Sequence, residues 1–263
     1  MEVAPQNSIR IGCAGWSLRK EYTDLFPSTG THLQRYAERF TCVEVNSSFY
    51  RPHRRSTYAR WAASTPDRFQ FSVKLPKQIT HINRLINSEA NLLKFVDEVT
   101  GLGRKLGPVL VQLPPSLYFE ARITSEFFGT LRSMADTPVV CEPRHSTWFT
   151  DEAEEILSEH RIGRVAADPS VVPAAAIPGG CNQHVYFRWH GSPRIYYSTY
   201  GLDALETMTA YIVEFVRSAQ SVWCIFDNTA EGAATKNAFA LTELVQSRST
   251  HRAGLPRGGS DIT

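Results

Sequence analysis

The sequence predicts an α/β protein folded as a single (β/α)8 TIM barrel, and three observations carry that expectation. Eight short apolar runs punctuate the chain. Amphipathic or helix-rich stretches separate most of them, which is the rhythm of a parallel sheet with helical crossovers. The runs also lack strict polar–apolar alternation, as suits strands buried on both faces.

The first run, Ile9 to Cys13, opens into Gly15, Trp16 and Ser17. Leu33 to Phe40 is amphipathic and leads into the second run, Thr41 to Val45. Thr57 to Ala63 precedes Phe69 to Val73, and Glu89 to Leu102 precedes Pro108 to Gln112. Thr124 to Met134 leads to Val139 to Glu142, where Pro143 lacks a backbone donor and restricts the residue before it, so the strand stops and releases its charged groups into a loop. Glu152 to His160 precedes the sixth run, Gly163 to Ala167. The next connection breaks the rhythm, since Pro169 to Gly180 holds three prolines and two glycines, and an irregular loop is expected in place of a helix. His184 to Trp189, the helical stretch Ala204 to Ser218, Val222 to Phe226 and the helical stretch Asn237 to Gln246 complete the pattern. The expected organisation is a lead over residues 1–8, one domain over 9–246 and a poorly ordered tail over 247–263, where Gly254, Pro256, Gly258 and Gly259 replace any apolar periodicity.

A chain of 263 residues with 42% hydrophobic and 21% charged residues can bury a sizeable core. Its net charge of +2 is too small to favour nucleic acid or an anionic membrane as partner, although Arg51 to Arg55 forms a local basic cluster that keeps a nucleic-acid reading open. No apolar run approaches the roughly 18 residues of a membrane span. The five cysteines form no CxxC pair and no secretory leader is visible, so reduced thiols and a cytoplasmic location are expected.

Active groups of such barrels collect where the strands end. Those ends carry Trp16; Glu44, Asn46 and Tyr50; Lys74; Gln112; Glu142, Arg144, His145 and Trp148; Asp168; Arg188, Trp189 and His190; and Asp227 with Asn228. Charged groups at the ends of buried strands require mutual pairing or a ligand.

The segments IGCAGWS, VEVNSSFYRP, RWAASTPDRFQFSVKLPKQITH, LGPVLVQLPPS, CEPRHSTWF, FRWHG and FDNTAEGAATKNA, in that order from Ile9 to about Leu244, resemble the successive blocks of the YecE-like family, domain of unknown function seventy-two. The resemblance implies a (β/α)8 barrel and supplies no accepted reaction. Ala14 stands where the first block often has serine, Pro143 where an aromatic is usual, and Asp227-Asn228-Thr229 where asparagine is more frequent. The charged positions survive, and Pro143 bears chiefly on the aim of Arg144.

Three readings of the site follow. In the preferred one, Glu142, Asp168, Glu44 and His190 supply acid–base catalysis, and Lys74, Arg144 and Arg188 hold a small anionic substrate such as a phosphate or carboxylate, with Asn46, Tyr50, Trp16, His145, Trp148 and Asn228 completing its pocket. No cofactor is expected. Its structural counterpart is an ion pair between Glu142 and an arginine that merely closes the barrel end. In the second reading His145, His190, Glu142, Glu44 and Asp168 ligate a divalent metal, although arginine and lysine at the same rim would oppose it. In the third, Trp16, Tyr50, Trp148, Trp189 and Tyr196 line a non-catalytic pocket for a sugar or base, oriented by Asn46 and Asn228.

Overall fold

The computed structural model describes residues 8–253. Its strands are β1 (Ser8–Cys13), β2 (Cys42–Val45), β3 (Gln70–Lys74), β4 (Leu106–Gln112), β5 (Val139–Glu142), β6 (Ile162–Arg164), β7 (Ala166–Asp168), β8 (Gly179–Gly180), β9 (His184–Trp189) and β10 (Ser221–Phe226). The helices are α1 (His32–Arg39), α2 (Arg55–Ala63), α3 (Glu89–Val99), α4 (Ala121–Met134), α5 (Asp151–Glu159), α6 (Leu202–Phe215) and α7 (Ala233–Ala253). The fold is mixed α/β, with its strands in two sheets ordered β1-β10-β9-β7 and β2-β3-β4-β5-β6-β8. Every pairing is parallel except β6 with the two-residue β8.

Local sequence explains the helix starts. Thr31 and Gln34 cap α1 reciprocally, side chain to backbone in both directions. The Thr150 hydroxyl accepts from the Ala153 N–H at the start of α5, whose first turn also carries Asp151, Glu152 and Glu154, favourable at the positive end of a helix dipole. α7 runs through Ala253, past the point where the sequence reading begins its tail, because no glycine or proline interrupts residues 233–253. Residues 1–7 and 254–263, with the glycines and proline of that tail, lie outside the described residues.

The sixth apolar run divides into β6 and β7. The first pairs with β5 and the second with β9, separated by Val165, whose N–H donates to the Cys141 carbonyl at 2.8 Å. The following loop holds a single 3-10 turn, Pro173–Ala176, and is tied down by Arg164, whose guanidinium pairs with Glu154 and donates to the Ala174 carbonyl at 2.9 Å. No described helix is long and apolar enough to cross a membrane.

Two apolar layers result from the two-residue period of the strands. Cys42, Leu110, Val140, Val165, Tyr186, Trp223 and Ile225 cluster on one face of the sheets. Ile11, Val43, Val73, Val109, Cys141, Phe187, Trp189 and Phe226 face the helices in the other, larger cluster. The first face therefore also receives Glu44, Glu142, Arg188 and Asp227, each two residues beyond a member of that cluster, and Lys74, two beyond Ser72, whose hydroxyl lies 2.7 Å from that of Tyr186. Gly12 lies where β1 approaches β2, and a Cβ there would sit 2.3 Å from the Cys42 carbonyl oxygen. Gly12→Ala should cost about 1–3 kcal/mol through this backbone clash, a fall of several degrees in the melting temperature of a domain this size. A thermal melt unchanged from the parent would show that β1 and β2 are not so close.

Candidate functional site

Arg188 occupies the centre of a buried charged cluster. Its side chain is 1% exposed, and its guanidinium donates from Nε to Glu44 Oε2 at 2.9 Å, from Nη2 to Glu44 Oε1 at 2.6 Å, from Nη1 to Glu142 Oε2 at 2.8 Å and from Nη2 to Asp227 Oδ2 at 3.0 Å. The Glu44 contact is the two-pronged geometry to which a guanidinium is suited. Tyr186 adds a hydroxyl donor to Glu44 Oε2 at 2.9 Å, and Ser72 lies 2.7 Å from that hydroxyl. Burial pushes the Tyr186 phenol well up, so it stays a neutral donor.

His190 joins the cluster from the end of β9. Its Nδ1 lies 2.9 Å from Asp227 Oδ2, while its Nε2 is shared between Glu142 Oε1 at 2.9 Å and Arg144 Nη2 at 2.5 Å. With the proton on Nδ1, Nε2 accepts from Arg144; with the proton on Nε2, the ring donates to Glu142. Arg144 also pairs directly with Glu142 Oε1 at 2.5 Å. Pro143 thus leaves Arg144 aimed inward. Burial alone would raise the Glu142 carboxyl, but Arg144, Arg188 and His190 outweigh it and hold the group well below its ordinary value. Asp227 is likewise lowered, burial being outweighed by Arg188, His190 and Lys74.

Lys74 differs from its neighbours. It is 7% exposed, yet its ammonium makes no hydrogen bond or ion pair to any described residue; it rests on the Phe49 ring, with Nζ 4.1 Å from the centroid. The Ser48 hydroxyl bonds the Lys74 carbonyl at 2.6 Å and fixes the strand end. Burial, then repulsion from Arg188, lowers its pKa to about 8 despite the attraction of Glu44, Glu142 and Asp227. His81 packs across the same Phe49 ring at 4.8 Å and is lowered by burial and by the Lys74 charge.

Six of the residues expected to converge, Glu44, Lys74, Glu142, Arg144, Arg188 and His190, are thus gathered in one cluster. Asp168 is not among them. It shares the parity of Ala166 and Arg164, faces the helices, and accepts from the Tyr200 hydroxyl at 2.6 Å beside a cavity of about 450 Å³ lined with Trp189, Met208 and Tyr211. Trp148 is 1% exposed, with its indole N–H donating to the Leu117 carbonyl and its ring against Phe119. Trp189 also packs toward the helices. Trp16 packs on Trp61, and His145 contacts Thr147 and Tyr118. Asn228 is locked by Ser198 and Asn237. Tyr50 is 70% exposed, Asn46 keeps a buried Oδ1 without a partner, and Tyr196 has its ring 6.0 Å from His190. Asp227, Tyr186, Ser72 and His81 were not chosen from sequence; the two-residue step Trp223, Ile225, Asp227 would have found the first of them.

Of the carboxylates in the metal reading, Glu44 and Glu142 are engaged by Arg188, a cation already between them, and Asp168 lies apart, bonded by the Tyr200 hydroxyl. Among the described residues no group of three His, Cys, Asp or Glu side chains is arranged to hold a metal ion.

Parallel sheets with a buried charged cluster at their strand ends define the class: an α/β protein with a candidate functional site. The family described as "Protein of unknown function DUF72" matches residues 10–259, and the chain belongs to it. UPF0759 protein YunF of Bacillus subtilis is 25% identical over 90% of this chain and 94% of its own length. UPF0759 protein YecE of Escherichia coli K12 is 29% identical over 55% of each chain. Crystal structures of DUF72 family proteins from Enterococcus faecalis V583 (TM-score 0.77, 20% identity, 91% of this chain and 96% of that one) and Thermotoga maritima MSB8 (TM-score 0.76, 24% identity, 90% and 99%) share the fold.

Two variants separate the roles within the cluster. Glu142→Gln leaves Arg188 and Arg144 short of a buried partner and should cost about 3–5 kcal/mol in a denaturant or thermal melt. Since the Glu142 carboxyl is depressed below its ordinary 4.5, its contribution is complete above that pH and fades as the pH falls toward the folded value, so the variant should also show a shallower acid limb. Lys74→Met should act oppositely. A lysine lowered from 10.5 to about 8 is destabilising by about 3 kcal/mol while charged in both states, so the variant should melt higher than the parent below pH 8 and converge with it as the pH rises toward 10.5. A loss of stability at pH 7 would make Lys74 a structural residue.

Proposed function

We propose that the chain is an enzyme performing acid–base chemistry on a small anionic or polyhydroxylated molecule at the C-terminal ends of its strands, and that its two sheets are arcs of one (β/α)8 barrel. Two junctions support closure: β6 and β7 are separated only by Val165, and a parallel bridge joins Ala14 to Glu44, with the Gly15 N–H donating to the Glu44 carbonyl at 2.9 Å.

The observation that carries the functional reading is Lys74. A cluster built only to close the barrel has little use for a lysine whose side chain is nearly buried while its ammonium, still reachable from solvent, bonds to no described residue, because that burial disfavours the charge. An anionic or carbonyl oxygen of a ligand supplies the missing partner. Arg188 is fixed by three carboxylates and serves as the frame. Glu142 stays ionised across the physiological range, so it orients His190 and Arg144 rather than exchanging protons. Proton movement falls to Lys74 and to His190, whose Nε2 lies between an acceptor and a donor. This chemistry calls on no resident cofactor.

Thermal melts with millimolar phosphate, a sugar phosphate and a dicarboxylate test the reading. At a hundredfold excess over Kd a ligand stabilises by about 2.7 kcal/mol, a shift of several degrees for a domain of this size. The parent should respond to at least one of these, and folded Lys74→Met should not. Flat melts with every anion, or an undiminished shift in the variant, would remove the proposal.

A further inference from the structure

We propose that Lys74 is a nucleophile that condenses with the carbonyl carbon of a small oxo acid or open-chain aldehyde to form an imine. This rests on the site reading above and narrows its substrate class to carbonyl compounds.

The geometry distinguishes Lys74 from an anion clamp. No carboxylate or backbone carbonyl among the described residues accepts from its ammonium, so no internal hydrogen bond holds the proton on nitrogen and its lone pair is freed when that proton is lost. The three carboxylates that would otherwise claim it are occupied by Arg188. Burial favours the neutral amine, the form that attacks a carbonyl. The Phe49 face 4.1 Å from Nζ shields one side from water and attracts a cation on nitrogen. His81 packs on that ring, and its Nδ1 is held by the Thr80 hydroxyl at 2.8 Å, which leaves Nε2 to take and return protons.

The step balances without a co-reactant. The ammonium gives one proton to the His81 imidazole or to solvent. The amine lone pair forms a C–N bond as the carbonyl π pair moves to oxygen, which is then protonated. A second protonation of that oxygen lets it leave as water while nitrogen, having lost another proton, closes the C=N bond; the imine is finally held as its conjugate acid. An ammonium and a carbonyl have become an iminium and water, so the charge facing Glu44, Glu142 and Asp227 is the same before and after. A buried ion cluster can therefore host the reaction without rearranging.

Reductive trapping reads this out. The folded protein is incubated separately with pyruvate, glyoxylate and glyceraldehyde in the presence of cyanoborohydride, and the labelled residue is located by peptide mass mapping. The expected result is one reduced adduct at Lys74, formed about tenfold or more faster than at exposed lysines such as Lys77 or Lys94, since an ordinary lysine with a pKa of about 10.4 is almost wholly protonated at neutral pH. Lys74→Arg, which keeps the charge and is checked by its melt, should lose the fast adduct. Labelling no faster than at the other lysines, or at Lys74 only after denaturation, overturns the imine. If anions still stabilise the parent in the melt while no probe labels Lys74, the site reading stands and the covalent step falls. Absence of both removes both.

Discussion

Arg188 is the constraint on which the strand ends depend. A guanidinium cannot shed its charge, and at 1% exposure it cannot be hydrated, so the fold has to supply acceptors around it. Glu44 comes from β2, Glu142 from β5 and Asp227 from the end of β10, on both sheets, and these three meet on one side chain from β9. Sliding any of these strands by one residue would turn its acid toward the helices and strand the guanidinium in an apolar layer. The ion cluster therefore fixes register as much as it stabilises. The apolar residues beneath it, Trp223 stacked on Tyr186 with Leu110 and Val140 nearby, would tolerate a slip far better.

Hydrogen bonding spreads that constraint outward. Tyr186 connects Glu44 to Ser72, His190 links Asp227 to Glu142, and Arg144 closes the cluster from the loop after β5. Three carboxylates face two guanidinium groups, and the Lys74 ammonium is the third cation of the group. Its contribution is electrostatic at a distance rather than through a bond, and burial takes back more than the carboxylates return.

Much of this was legible in the sequence because it follows from two short-range rules. Apolar runs ending in charges located the strands and their polar ends, and the helix-rich stretch Glu152 to His160 located α5. Six of the clustered residues came from that reading. What it missed came from treating every strand end as pointing the same way. Asp168 ends β7 as Glu142 ends β5, but it keeps the parity of Arg164, which pairs with Glu154 of α5, so it faces the helices. Asp227 was passed over for Asn228 although the step from Trp223 through Ile225 reaches the aspartate. Trp148 and Trp189 were read as walls of one pocket with Trp16 and Tyr50, whereas the Trp148 indole is bound to Leu117 and Trp189 lines the separate cavity beside Asp168, a difference set by packing partners that an aromatic side chain alone does not reveal. The division of the sixth run between two sheets rests on pairing across distant strands, which no local pattern encodes.

The contrast between Arg188 and Lys74 explains why two cations of one cluster serve different ends. Arginine offers donors along a rigid plane and holds its proton at any physiological pH, so it is suited to gathering several acids permanently. Lysine bears one compact charge on a flexible stem and is readily neutralised by burial. Placed with arginine's partners, a lysine would be a weaker frame; placed where Lys74 is, an arginine would be a permanent unpaired charge. The strands put the group that cannot change its protonation at the centre and the group that can at the edge, beside Phe49 and His81. A site that must exchange protons while its scaffold keeps a constant charge needs that order, because only the outer group can change state without disturbing the pairing that holds the strands in register.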